Sequence, residues 1–124
     1  MSKGEKLIAK YLNEQGFEYE TEKTFSDLKN IQKLRFDFWI PAYYTAIEVD
    51  GDQHFKETFF NSGKDFLKRQ ELDKKKNEYC IKAGIQLIRI PYNKLNLVNA
   101  KYLAYKIKKQ KFGTVCNLEN LVSI

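Results

Sequence analysis

Residues 35–55 read RFDFWIPAYYTAIEVDGDQHF. Two β-like runs, LRFDFWI over 34–40 and YYTAIEVD over 43–50, meet at Pro41 with about two residues between them. Proline cannot donate to a ladder, so it ends the first run, and the short connection makes the pair a tight hairpin. Period two sets Leu34, Phe36, Phe38 and Ile40 on one face, with Arg35, Asp37 and Trp39 on the other. Glu48 and Asp50 share a face of the second strand. This one window holds four acids (Asp37, Glu48, Asp50, Asp52) and the single histidine, His54, of a chain whose net charge is +6.

The flanking sequence supplies helices and one more strand. Ser2 to Glu5 form a capping-box pattern, Leu7, Ile8, Tyr11 and Leu12 follow a helical stripe, and Gly16 is a fitting stop. FEYETEKTF (17–25) alternates as a strand. A polar loop containing Phe55, Phe59 and Phe60 runs over about 51–64, then a long helix over 65–83 closes at Gly84. IQLIRI (85–90) is a short β run ended by Pro91, and 98–110 is a last amphipathic helix. The order is α-β-β-β-α-β-α. A strand arriving after a long helix adds in parallel to the hairpin, so the fold class is α/β (α+β), a mixed central sheet flanked by helices.

Composition bounds the function. With 124 residues, 43% hydrophobic and 15% aromatic, the chain is one globular domain over 1–124, either a whole protein or the catalytic part of a longer one. There is no run of about 18 apolar residues for a membrane helix and no apolar leader, which points to the cytoplasm and to no membrane partner. Cys80 and Cys116 stand apart without histidine companions, so they read as reduced thiols rather than zinc ligands. The excess of 22 Lys and Arg over 16 Asp and Glu favours a polyanionic partner. Basic residues gather at Lys68, Arg69 and 74–76, and again at Lys106, Lys108 and Lys109, where they face either phosphates or solvent.

Adjacent strands lie about 4.8 Å apart, so Asp37 and Glu48 converge if the register allows, with Asp50 beside them. Clustered carboxylates repel unless a cation neutralises them, and hard oxygen donors suit Mg²⁺, which takes only one or two carboxylates from a protein. His54 is placed to accept a proton from an attacking water. A charge clamp, an activated water and a base are what phosphodiester hydrolysis needs. Taken singly, Asp37 is a surface acid, Asp50-Gly51 a turn and Glu5 only a cap; taken together they point to a metal site. Phe55, Phe59 and Phe60 fit a core as well as a wedge between bases.

FDF (36–38), IEVDGDQHF (47–55), ELDKKKNEYC (71–80) and GIQLIRIPY (84–92) carry a resemblance that spans about residues 2–92. They are similar to the nuclease superfamily with the PD-(D/E)xK core. Within it they resemble the branch of the very-short-patch repair endonuclease and related phage and homing endonucleases of Glu-Asp-x-His-Asp type. The resemblance implies a restriction-endonuclease-like fold and a Mg²⁺-dependent endonuclease in which Mn²⁺ substitutes, cutting DNA, double-stranded rather than single-stranded. It implies no small-molecule cofactor and a bacterial or phage-host cytoplasm. It further implies Asp37 as principal metal ligand, position 48 as the next, His54 as base, and Glu5 and Asp73 as supporting acids; the Val49 main-chain carbonyl is expected to hold the ion beside Asp37 and Glu48. The superfamily lysine is replaced here by Asp50. Lys76, one helical turn from Asp73, is either its substitute or a surface ion-pair partner. Asp52 and Gln53 stand where the mismatch enzyme has aromatic wedges. The rival readings are an inactive nucleic-acid-binding module of the same fold and a nuclease acting on RNA.

Overall fold

The computed structural model describes residues 1–26, 34–51 and 63–118, with side chains 63–66 excluded. The elements are α1 (Lys3–Glu14), β1 (Glu20–Lys23), β2 (Phe36–Ile40), β3 (Thr45–Asp50), α2 (Gly63–Ala83), β4 (Gln86–Pro91), α3 (Ala100–Lys108) and β5 (Val115–Asn117). The sheet order is β1-β2-β3-β4-β5. β1, β2 and β3 pair antiparallel, while β4 and β5 add in parallel to β3. This is the mixed sheet flanked by helices expected for a restriction-endonuclease-like fold. β5 is an addition to the expected order: three short residues after a basic helix carry too little periodicity to declare a strand. Among the described residues no helix is long and apolar enough to cross a membrane.

Local chemistry explains the boundaries. The Ser2 side chain accepts from the Glu5 N–H to start α1, and Asn99 accepts from the Tyr102 N–H at 2.7 Å to start α3. Gly16 and Gly84 stand at positive φ just past α1 and α2, a backbone state that costs glycine little. The hairpin is looser than a two-residue turn. Pro41–Tyr43 form a 3-10 turn, and Tyr44 is left-handed at φ 50° before β3 begins at Thr45. Proline's fixed φ starts a turn here, and it displaces the tight connection expected from spacing alone.

Two apolar cores sandwich the sheet. Phe38, Ile40, Ile47, Ile88 and Ile90 pack with Ile8 and Leu12 of α1 and with Leu103 and Ile107 of α3. Trp39, Ala46 and Leu87 pack with Cys80 of α2 on the other side. Phe36 belongs to this second core, away from Phe38, so the even alternation expected of β2 fails at Asp37. β1 departs with it. Glu22 has φ 52°, and past it Phe25 turns to meet Phe36, Trp39 and Tyr79 on the α2 side, while Tyr19 stays with Phe38. The Thr21–Phe38 and Lys23–Phe36 pairs flank this kink.

α2 is strongly charged, and polar pins supplement its apolar seam. Arg89 of β4 is 4% exposed. Its Nε donates to Asn77 Oδ1 at 2.8 Å, Nη2 to the Asp73 carbonyl at 3.1 Å, and Nη1 to Asp50 Oδ1 at 3.0 Å. A buried guanidinium needs such partners, because an unpaired charge in the interior costs several kcal/mol. Arg89→Leu strands the Asp50 carboxylate from this partner, and we expect a loss of about 3 kcal/mol. That is on the order of 10 °C in melting temperature for a domain of this size. Adding Asp50→Leu should recover most of it, and a single variant that melts within about 2 °C of the parent would contradict the assignment.

Candidate active site

At Asp37 the β2–β3 ladder ends. The last paired residues are Phe38 and Ile47, and the next pair, Asp37 and Glu48, is closed by side chains instead. The Asp37 N–H donates to Glu48 Oε1 at 2.9 Å, and the Val49 N–H donates to Asp37 Oδ2 at 2.7 Å. Each carboxylate thus accepts a main-chain N–H of the neighbouring strand. The two acids thereby hold each other's strand at the carboxyl end of β3, beside the N-terminus of α1.

Lys76 of α2 donates to Glu48 Oε2 at 3.0 Å, with the two side chains only 13% and 5% exposed. Its ammonium also lies 5.5 Å from the centre of the Phe36 ring. Asp37 has no ion pair among the described residues. Burial raises its carboxyl from 3.8 to about 7, helped by the nearby charges of Glu48 and Glu5; the Val49 hydrogen bond and Lys76 oppose the rise. A cleft of about 640 Å³ opens here, lined by Gly4, Glu5, Asp37, Glu48, Lys76 and Tyr92 among others. Gly4 matters to its wall: a Cβ there would stand 2.8 Å from a Leu95 methyl and 3.0 Å from one of Val49.

The structure thus brings together Glu5, Asp37, Glu48, Val49 and Lys76. Glu5 is also the cap acid, its Oε1 accepting from Ser2 Oγ at 3.2 Å, so the two readings of Glu5 coexist. Asp50 and Asp73 sit instead on the α2 side with Arg89, whose Nη1 is 3.0 Å from Asp50 and 3.7 Å from Asp73. Asp50 shares that face of β3 with Glu48 but does not converge on Asp37, because it stands two residues further along the strand and its carboxylate is drawn to Arg89 of β4. His54, Asp52, Gln53, Phe55, Phe59 and Phe60 lie outside the described residues.

The basic residues divide between the layers. Lys68 and Arg69 are on α2, and the lysines of α3 are across the sheet. Lys108 leans over the Phe17 ring at 5.9 Å, whereas Lys106 and Lys109 line a separate pocket. Sequence reading passed over Arg89, although an arginine between two isoleucines in a parallel strand signals a buried partner. It also passed over Gly4 and Tyr92, which only the tertiary packing places at the cleft.

A raised carboxyl has a definite pH sign. The folded protein keeps the Asp37 proton that the unfolded chain releases near 3.8. Its contribution is therefore fully present below that value and is lost as pH rises through about 7. In EDTA, melting temperature should fall between pH 5 and pH 8, with a ceiling of about 3 kcal/mol over that window. Asp37→Asn should flatten that fall and melt higher than the parent at pH 8. Parallel curves for the two proteins would contradict the burial of an uncompensated acid.

No family model matches the chain. A curated relative, "Uncharacterized protein 094L" of Frog virus 3 (isolate Goorha), is 39% identical over 62 residues. The aligned part is 48% of this chain and 40% of that protein, so the match spans less than half of either. Among solved structures the chain is similar to the "Homing Endonuclease I-Bth0305I Catalytic Domain", at a TM-score of 0.45 and 22% identity, over 90% of this chain and 93% of that one.

Proposed function

We propose that the chain is a metal-dependent endonuclease whose cleft, centred on Asp37 and Glu48, hydrolyses phosphodiester bonds of DNA. The observation that carries the reading is the crossed pair at the end of β2 and β3. Two largely buried carboxylates stand together, one matched by Lys76 and the other, Asp37, with no ion pair among the described residues. A strand splice needs no acids, since backbone groups close ladders at lower cost. A carboxyl raised to about 7 by burial and by like charge is a group short of a cation.

The donor set fits a hard divalent ion. Among the described residues no three of His, Cys, Asp and Glu gather closely enough to form a metal cage. Mg²⁺ does not require one, because it keeps several waters and takes one or two carboxylates. Asp37 and Glu48 would hold the ion, with the Val49 carbonyl as a further oxygen, and Mn²⁺ would serve in its place. The bound ion supplies charge neutralisation at the phosphate and a more acidic water.

The chain's own groups do the rest. Glu48 and the aromatic face of Phe36 fix the Lys76 ammonium at the cleft, where it meets the phosphate's negative charge in the role of the superfamily lysine that Asp50 replaces. Glu5, in the first turn of α1, orients solvent from its own wall of the cleft. Asp50, Asp73 and Arg89 hold α2 at the distance that brings Lys76 into place. His54 is proposed as the base from its place in the sequence, four residues past Asp50.

Supercoiled plasmid incubated with Mg²⁺, Mn²⁺ or EDTA tests the reading. Nicking should require the metal. Asp37→Asn should lower it by at least about a hundredfold while retaining DNA binding, and Lys76→Met should lower the rate at saturating DNA more than the affinity. Nicking that persists in EDTA, or an Asp37→Asn protein that cuts within a few-fold of the parent, would refute the assignment.

A further inference from the structure

The far end of the sheet carries a second constructed feature. Gln86, the first residue of β4, is 3% exposed. Its Nε2 donates to Thr45 Oγ1 at 2.9 Å and to the Ile107 carbonyl at 3.1 Å. Its Oε1 accepts from the Lys111 N–H at 2.9 Å. One buried amide therefore ties the start of the parallel strands to the end of α3 and to the loop beyond it. That loop turns back through Gln110 at φ 49° and Gly113 at φ 71°, and the Gly113 N–H donates to the Ile85 carbonyl at 3.2 Å. A Cβ on Gly113 would lie 3.1 Å from the Ile81 carbonyl, so the close approach depends on glycine.

The loop and helix end enclose a pocket of about 240 Å³, lined by Lys106, Lys109, Lys111 and Thr114 among others; the Thr114 hydroxyl donates to the Lys111 carbonyl and so pins the loop. Among the described residues none of these three lysines has a carboxylate within ion-pair distance, whereas Lys76, Lys10 and Lys23 each have one. Lys109 instead lies 4.6 Å from the centre of the Tyr105 ring. Tyr105 is 50% exposed and Phe112, across the loop, 55%. Three ammonium groups at one pocket, with exposed aromatic rings on the same helix end and loop, match a phosphodiester with its attached bases.

We propose that this pocket binds a backbone phosphate of DNA at a point remote from the acidic cleft. The choice of DNA as the occupant rests on the nuclease reading; the pocket's affinity for a phosphodiester does not. Val49 at the cleft pairs with Ile90, four residues along β4 from Gln86. At about 3.3 Å per residue the two sites are separated by on the order of 13 Å along the strands. That corresponds to about four nucleotide steps at roughly 3.4 Å each. The pocket is then an anchor that sets how the duplex lies across the cleft. Lys108, turned toward Phe17, is excluded from it.

The test is fluorescence anisotropy with a 20-base-pair duplex in EDTA across a salt series, using the full chain. Lys109→Gln combined with Lys111→Gln should weaken binding about tenfold and reduce the slope of log affinity against log salt by about 1.8, two contacts at about 0.9 each. Lys10→Gln combined with Lys82→Gln removes equal charge elsewhere and should change affinity less than twofold. Equal losses in the two double variants, or no duplex binding by the parent, would overturn the proposal. If the lysines serve only the α3 carboxyl end, the pocket variant will melt lower and bind unchanged, which also overturns it. On the parent protein, duplex should shift the backbone amide resonances of Lys111, Gly113 and Thr114; unmoved resonances count against the pocket. Nicking with Mg²⁺, run in parallel, separates the two claims. A parent that binds through the pocket without cutting refutes the nuclease reading alone, and one that cuts but whose pocket variant binds normally refutes this inference alone.

Discussion

Asp37 and Glu48 do what a backbone ladder would otherwise do, and the geometry of the cleft follows from that exchange. β1 and β2 kink together at Glu22 and Asp37, which sends Phe25 and Phe36 to the α2 core and carries β2 away from β3. The gap is closed by crossed hydrogen bonds of 2.9 Å and 2.7 Å from main-chain N–H groups to the two carboxylates. Each acid is thereby fixed in orientation by the strand opposite, and neither can turn away to solvent without leaving a buried donor unpaired. The arrangement is costly in isolation. Its cost is concentrated on Asp37, the acid without an ion pair among the described residues.

Two further layers brace this point. On the α2 side, Arg89 gathers Asp50, Asn77 and the Asp73 carbonyl, and so fixes the long charged helix whose Lys76 reaches Glu48. On the other side α1 approaches closely because Gly4 presents no side chain to Leu95 and Val49, and this brings Glu5 to the cleft. The division of labour among the acids is therefore spatial. Asp37, Glu48 and Glu5 border the cleft, while Asp50 and Asp73 stabilise the helix that supplies its ammonium.

Most of the architecture was legible in periodicity and punctuation. The hairpin at 34–50, the long helix stopped by Gly84 and the parallel strand ended by Pro91 all follow from alternation, glycine and proline. The pairing of Asp37 with Glu48 was also legible, because opposite registers on neighbouring strands bring those side chains together. What escaped reading was irregular backbone. A positive φ at Glu22 breaks period two in β1 and β2 without any glycine to announce it, and so Phe36 was assigned to the wrong core. Asp50 was grouped with the cleft acids because parity within β3 was considered and its partner on β4 was not. Lys76 lies 28 residues from Glu48 in sequence, and only the packing of α2 on the sheet decides between a surface pair with Asp73 and a place at the cleft.

The central claim is that Asp37 and Glu48 form the protein's divalent-cation site. Electron paramagnetic resonance of free Mn²⁺, titrated against the parent protein, Asp37→Asn and Glu48→Gln at pH 7.5, measures it without reference to any substrate. The account predicts one Mn²⁺ taken up per chain by the parent, competed by Mg²⁺, and uptake lowered at least about tenfold in either variant. Equal Mn²⁺ uptake by all three proteins would contradict it.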